Sequence, residues 1–293
     1  MLDFIINPTA GGINGKKINK TLDIIKSVLE KRQVEYKFHI STSQKNTRAL
    51  TSALIDKGAK NIIAVGGDGT IHDVVNGLKN FEDVTFGIIP CGTGNDFASA
   101  INLPLNVEKA VEIILDCPPK FTDYMQMPTV RGINIIGMGI DVDVLKKYQK
   151  CKKKNKLAYT TSLIKTLFSF DYINFDVIVD GDTQPKNYTS FIACIANGNR
   201  YGGGIPICPP ANPTDQKLDF VAVKNMPKLK IISAFLKLKK GKLLSLKEAT
   251  HYNMQKITVI PKGDYTVNVD GELYDNIPFT VEIVSNKLKM FRP

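Results

Sequence analysis

Three short stretches of the 293-residue chain place glycines beside hydroxyl, amide or carboxylate side chains where an apolar run gives way to a helical pattern. "IIAVGGDGTIHDVVNG" (Ile62–Gly77) carries Gly66, Gly67, Asp68, Gly69 and Thr70. "IIPCGTGNDFA" (Ile88–Ala98) carries Gly92, Thr93, Gly94 and Asp96, and "INPTAGG" (Ile6–Gly12) carries Asn7, Thr9, Gly11 and Gly12 ahead of Lys16 and Lys17. Glycine at such a junction lets the main chain approach a phosphate closely, and the following helix offers free N–H groups to an anion. A carboxylate among phosphates is repulsive unless a cation lies between them, which points to Mg²⁺. Each stretch alone also reads as an ordinary turn with Asp capping a helix. Three of them at the carboxyl ends of neighbouring parallel strands would share one edge and could form one phosphate-binding cleft. None matches GxxxxGK[ST] or GxGxxG, which argues against a P-loop NTPase and an ordinary dehydrogenase.

The apolar periodicity shows what positions these loops. Ile18, Leu22, Ile25 and Leu29 step by four, three and four, the stripe of an amphipathic helix. Ala49, Leu50, Ala53 and Leu54 mark a second helix, Val74, Val75 and Leu78 a third, and "NVEKAVEIIL" a fourth. The strands "LDFIINP", "YKFHI", "NIIAV" and "TFGIIP" alternate with them, which predicts a parallel, doubly wound α/β sheet. After about residue 121 the texture changes to short β-rich runs: "YINFDVIVDG", "TSFIACIANG", "LDFVAV", "KITVIPKG", "YTVNVDGE" and "FTVEIV". Several alternate polar and apolar residues, as half-buried antiparallel strands do. "YTTSLIKTLFSF" and "KIISAFLKLKKGKLL" between them look helical. The expected division is residues 1–121 with a tail of about 285–293, and a mostly-β domain over 122–284.

A content of 43% hydrophobic residues is ample for a core, and the longest apolar runs, such as "FIACIA", fall far short of the ~18 residues that span a bilayer. The opening "MLDFIINP" reads as a strand rather than a signal peptide, so a cytoplasmic location is expected. Cys91, Cys117, Cys151, Cys194 and Cys208 are scattered without a CxxC pair, as suits reduced thiols. His39, His72 and His251 stand alone, so zinc is not expected. The net charge of +11 and pI near 9.3 favour polyanionic partners. Lys146–Lys156 holds seven lysines and no acid, and Lys224–Lys247 holds eight and no acid.

With "NPTAGG", "VGGDGTIHDVVNG", "PCGTGNDFA", "IANGNRYGGGIPICPPANPTDQKLD" and "VNVDGE" in this order, the whole chain resembles the diacylglycerol kinase catalytic-domain family, bacterial lipid kinases related to sphingosine kinases. GGDGT by itself also occurs in related forms in NAD kinases and phosphofructokinases; the ordered set is far more specific. The resemblance implies an N-terminal α/β nucleotide domain, a C-terminal β-sandwich domain, an active site between them, and transfer of the ATP γ-phosphate to a lipid hydroxyl. Carried over, Asn7, Thr9, Gly11, Gly12, Gly66, Gly67, Asp68, Gly69, Thr70 and Thr93 match ATP-binding motifs. Asp68, Asp96 and Asp123 match acidic positions around a Mg²⁺–water network, and Asp215 matches the aspartate of a structural Mg²⁺ site. The family's usual Asp-Gly is Asp215-Gln216 here, which puts that loop's geometry in doubt. Asp270 and Glu272 match the region that supplies the general base, with Glu272 the preferred acceptor; "DG" is equally a favoured hairpin turn.

The reading is a Mg²⁺- and ATP-dependent lipid kinase with diacylglycerol as the leading substrate. Its rivals are a kinase of the same superfamily acting on a sphingoid base, phosphatidylglycerol, undecaprenol or NAD, and a non-enzymatic nucleotide- or lipid-binding regulator. "LKIISAFLKLKKGKLLSLK" interleaves apolar residues with lysine, the pattern of a helix on an anionic membrane surface. A peripheral membrane partner is therefore expected. No nucleic acid is expected, because no nucleic-acid motif accompanies the lysines. Homodimer formation is left open. The "RYGGGIPICPPA" loop reads either as lining the cleft or as an irregular strand connection.

Overall fold

The computed structural model describes residues 1–8, 16–151, 161–162, 165–166 and 169–293. Half of "YTTSLIKTLFSF", expected to be helical, falls outside them. The chain divides into two compact units, Met1–Asp123 with Ser285–Pro293, and Tyr124–Val284.

In the first unit the order is β1 (Leu2–Ile6), α1 (Lys16–Lys31), β2 (Tyr36–Ile40), α2 (Gln44–Asp56), β3 (Asn61–Gly66), α3 (Asp68–Gly77), β4 (Thr85–Pro90), α4 (Asp96–Ala100) and α5 (Val107–Asp116). The four strands are parallel in the order β4-β3-β1-β2, with Phe4 opposite Ile63 and Phe38, and Ile63 opposite Gly87. β1 is buried along its whole length, as parallel strands covered on both faces are. Alternate residues Phe4, Ile6, Ile63 and Val65 meet Ile25 and Leu29 of α1 and Val111 and Ile114 of α5. The intervening residues Ile5, Ile62 and Ala64 are also fully buried, and α2 and α3 contact β1 and β3. The sheet is thus wound on both faces, and its consecutive β–α turns lie at one edge.

β5 (Lys120–Gln126) leads into the second unit, which continues with β6 (Arg131–Gly132), β7 (Ile135–Gly139), α6 (Ile140–Gln149), β8 (Ile173–Val179), β9 (Lys186–Ala196), β10 (Leu218–Lys224), α7 (Lys228–Lys239), a 3₁₀ turn at Leu243–Ser245, β11 (Ala249–Met254), β12 (Lys256–Pro261), β13 (Thr266–Val269), β14 (Glu272–Asp275) and the first half of β15 (Thr280–Met290), whose residues from Ser285 belong to the first unit and pair parallel with β4. The pairings within this unit are antiparallel, and the unit forms a β-sandwich. β9 shows how one strand serves two cores. Ala193 and Ile195 enter a cluster with Phe175, Val177, Phe220, Val267 and Val281. Ile192, Cys194 and Ala196 enter a second cluster with Val144 of α6 and Ile231, Ala234 and Leu238 of α7.

Sequence periodicity does not announce β5, β7, α6 or β11. The helical pattern of α6 is hard to read because its core-facing Ile140, Val144 and Leu145 sit beside Asp141, itself buried, so the apolar stripe is broken by a carboxylate. Lys146 and Lys147 of the first lysine run are the last turn of α6, where they complement the helix dipole. Residues 152–156 of that run lie outside the described residues. Among the described residues no helix is long and apolar enough to cross a membrane.

Candidate functional site

The loops of the first unit are built around close backbone contact. A Cβ on Gly67 would lie 2.9 Å from the Cα of Gly92, and one on Gly92 would lie 2.4 Å from the Cα of Gly67. The β3–α3 and β4–α4 loops therefore touch main chain to main chain, and only glycine fits at either position. A Cβ on Gly66 would lie 2.3 Å from Thr70 Oγ1. That hydroxyl accepts from Asn7 Nδ2 at 3.1 Å, so the end of β1 is tied to the first turn of α3. The side chains of Ser43 and Asn106 cap α2 and α5, whereas Gly67 gives α3 no side-chain cap. The start of α3 thereby keeps main-chain N–H groups for an anion.

Two carboxylates converge here. An ideal Cβ on Gly94 would lie 2.9 Å from Asp68 Oδ2 and 3.1 Å from Asp96 Oδ2. Asp68, the first residue of α3, also accepts from the Phe97 main-chain N–H at 3.2 Å, at the start of α4. Asp96 is buried. Like charges held that close call for a cation between or beside them. Asn95, which sequence reasoning passed over, closes the loop: in the left-handed conformation (φ 55°), its Oδ1 accepts from Gly92 N at 2.8 Å and its Nδ2 donates to Gly92 O. Thr93 projects outward from the same loop, and Gly69 lies half-buried in the first turn of α3. Asp123 is buried and influences Arg292, whose Nε donates to Thr122 Oγ1 at 2.9 Å. Among the described residues Asp123 does not join Asp68 and Asp96 in a three-ligand cluster, so a cation shared by all three would reach one of them through water. Thr9, Gly11 and Gly12 lie outside the described residues.

In the second unit, β13 and β14 form a hairpin in which Val269 pairs with Glu272. Asp270 (φ 52°) and Gly271 (φ 98°) are the two turn residues, both left-handed as a type I′ turn requires. The hairpin turn is real, and it holds the two carboxylates differently. Asp270 Oδ1 accepts from Asn134 N at 2.9 Å and Ile135 N at 3.0 Å, and Oδ2 from Ile133 N at 2.7 Å. It clamps the approach to β7. Glu272 is half-buried, and its carboxylate has no hydrogen-bond partner among the described residues.

The turn is also tied to a residue that local spacing does not single out. Asn268 Oδ1 accepts from Gly271 N at 2.8 Å, and its Nδ2 donates to Asp141 Oδ2 at 3.1 Å. Asp141 sits in the first turn of α6, after Gly139 at φ 93°. Burial pushes its carboxyl up to about 7, against the Asn268 hydrogen bond, which lowers it. Its Oδ1 is buried without a partner. The available signal was "GMGIDV", another strand, glycine and carboxylate ahead of a helix.

Asp215 is half-buried and accepts from Lys217 N at 3.1 Å. Gln216 beside it takes φ 64°, the left-handed conformation open to glycine at no steric cost. The loop after β9 turns tightly through Gly202, Gly203 and Gly204, at φ 61°, 84° and 101°, with Tyr201 bridging Ile205.

A doubly wound unit with glycine-lined strand ends and an antiparallel β-sandwich are the two halves of a lipid-kinase class. The model of the diacylglycerol kinase catalytic domain matches residues 2–127, and that of the YegS C-terminal NAD kinase beta sandwich-like domain matches residues 134–292. The chain belongs to the diacylglycerol kinase catalytic-domain family. YtlR of Bacillus subtilis is 27% identical over 98% of both chains. A diacylglycerol kinase of Mycobacterium tuberculosis is 27% identical over 85% of this chain and 82% of its own. The crystal structure of a diacylglycerol kinase from Bacillus anthracis superposes with a TM-score of 0.74 at 21% identity, covering 100% of this chain and 96% of that one, which speaks for the fold.

Proposed function

We propose that the protein transfers the γ-phosphoryl group of ATP to the hydroxyl of diacylglycerol, giving phosphatidic acid. The observation that carries this reading is the pair of carboxylates, Asp68 and Asp96, converging beside Gly94 on touching glycine loops. Such a pair fits Mg²⁺ shared with a polyphosphate, and the ion would neutralise charge on the transferring group. The glycine loop Gly66–Gly67 and Gly69 at the uncapped start of α3 let the phosphates approach the main chain, while Thr70, whose N–H donates to Gly67 O, fixes the turn. Glu272 accepts the proton of the lipid hydroxyl while its oxygen forms the new bond to phosphorus; the bond from phosphorus to the β–γ bridging oxygen breaks and ADP leaves. Asp270 shapes the turn that holds Glu272. Asp215 would hold a second, structural Mg²⁺, beside Gln216 in the left-handed conformation that glycine adopts freely.

The substrate lies in a membrane, and α7 suits its surface. Ile232 and Leu236 are four residues apart and exposed by 43% and 56%, beside exposed Lys239, Lys240 and Lys242. Apolar side chains entering an anionic interface with lysines around them support peripheral attachment from the cytoplasmic side. The test is incubation with labelled ATP, Mg²⁺ and a panel of lipids in mixed micelles, with NAD as control. Label is expected in phosphatidic acid. Label in another phospholipid reassigns the acceptor, label in NADP overturns the lipid reading, and no label with any acceptor favours a non-catalytic regulator.

A further inference from the structure

The structure gathers a soft-ligand cluster that local spacing conceals. Cys208 lies in the connection after β9, Asp219 on β10 and His251 on β11, and one ligand atom from each lies within 4.8 Å of the other two. The register explains the meeting. Asp219 is opposite Asn253 and Val221 is opposite His251, so Asp219 and His251 are diagonal neighbours on one face. The chain then folds Cys208 onto that face, where it is fully buried. Asp219 is 1% exposed. Its Oδ1 accepts from Asn253 Nδ2 at 2.8 Å and meets His251 Nε2 at 2.6 Å, while its Oδ2 is buried with no hydrogen-bond partner. A buried carboxylate oxygen without a donor is costly, and a cation would satisfy it.

We propose that Cys208, Asp219 and His251 form a binding site for one transition-metal ion of the Zn²⁺ kind, separate from the sites that handle phosphate. Thiolate, carboxylate and imidazole together suit Zn²⁺ and do not suit Mg²⁺, which takes hard oxygen ligands in octahedral geometry. Bond lengths of about 2.0–2.3 Å in a tetrahedron put ligand atoms about 3.3–3.8 Å apart, so on binding His251 Nε2 gives up its 2.6 Å contact with Asp219 Oδ1 and the carboxylate ligates through Oδ2. The imidazole, 27% exposed, is the side open to solvent, where water completes the tetrahedron. Binding displaces the Cys208 thiol proton, which burial and then the charge of Asp219 otherwise retain. The ion ties Cys208 to the β10–β11 pair and so closes residues 209–218, the stretch that carries Asp215. Cys208 and Asp219 lie eleven residues apart, and His251 a further thirty-two, with no recurring motif spacing.

The test uses the full-length protein stripped with chelator and titrated with Co²⁺. One equivalent is expected to bind with the intense d–d absorption of tetrahedral Co²⁺ and a thiolate-to-Co²⁺ charge-transfer band in the near ultraviolet. Zn²⁺ is expected to remove both and to raise the melting temperature, while excess Mg²⁺ leaves both in place. Cys208→Ala should abolish the charge-transfer band. His251→Ala, at the solvent edge where folding is least at risk, should weaken Co²⁺ binding, and Asp215→Ala should leave the spectrum unchanged. Absence of a tetrahedral spectrum in the wild type, a charge-transfer band that survives Cys208→Ala, unchanged affinity in His251→Ala, or displacement by Mg²⁺ would each overturn the assignment.

Discussion

Asp270→Asn and Glu272→Gln should separate two carboxylates that lie two residues apart. Asparagine tolerates the left-handed conformation as well as aspartate does, so Asp270→Asn keeps the turn and changes only the acceptor. The ionised carboxylate serves three main-chain N–H groups, of Ile133, Asn134 and Ile135. An amide can turn its oxygen to two of them and must then face the third with its own NH₂. One unsatisfied donor, together with the lost charge assistance of the others, amounts to roughly 2–4 kcal/mol. At about 2–4 °C per kcal/mol for a domain of this size, the melting temperature of the second unit should fall by about 5–15 °C. Glu272→Gln removes no such bond. Its melting temperature should match wild type, while kcat for lipid phosphorylation falls by roughly 10²–10⁴ with the KM for ATP little changed. Calorimetry and a mixed-micelle assay on the two variants decide the matter. Wild-type kcat in Glu272→Gln would refute its role as base. Lost kcat with an unshifted melting temperature in Asp270→Asn would show that Asp270 acts in the chemistry rather than as a clamp.

Three further outcomes are expected. Asp68→Ala should lower kcat by at least about a hundredfold while circular dichroism stays unchanged, because it removes one of the two carboxylates beside Gly94; near-normal turnover would return that loop to a structural turn. The folded-state pKa of Asp141 is raised, so its contribution to stability is fully present below about 3.9 and is lost as pH rises through about 7. Neutral Asp141→Asn should therefore gain on wild type between pH 4 and 8, by up to roughly 4 kcal/mol in the second unit; parallel denaturation curves at pH 5 and 8 would contradict the buried-carboxylate account. Replacing Lys237, Lys239, Lys240 and Lys242 with Gln should cost about fivefold in anionic-vesicle affinity per lysine at low salt, fading as salt rises. Activity on a soluble short-chain acceptor should change little, and equal loss on both substrates would sink the membrane role of α7.

The strand-and-helix alternation of the first unit is legible in the sequence because it rests on local periods. Ile18, Leu22, Ile25 and Leu29 repeat at the helical spacing and become the face of α1 against the sheet. The apolar runs of β3 and β4, buried except at their first residues, alternate with helices and read as parallel. The β-rich texture likewise announces a mostly-β second unit, and the ordered motifs carry the family resemblance, which implies the sandwich. Only the tertiary structure decides what long-range pairing controls. Asp270 and Glu272 read alike in "VDGE", yet one is engaged by the main chain at residues 133–135 and the other is left available. Asp141 is an ordinary aspartate until Asn268, 127 positions away, donates to it in a buried site. Cys208, Asp219 and His251 stand apart in sequence, and the register of β10 against β11 brings the latter two onto one face. Propensity and hydrophobic period act over a few residues and so are written in the chain. A side chain's burial and partners depend on which distant strand lies opposite it, and only the assembled sheet sets that.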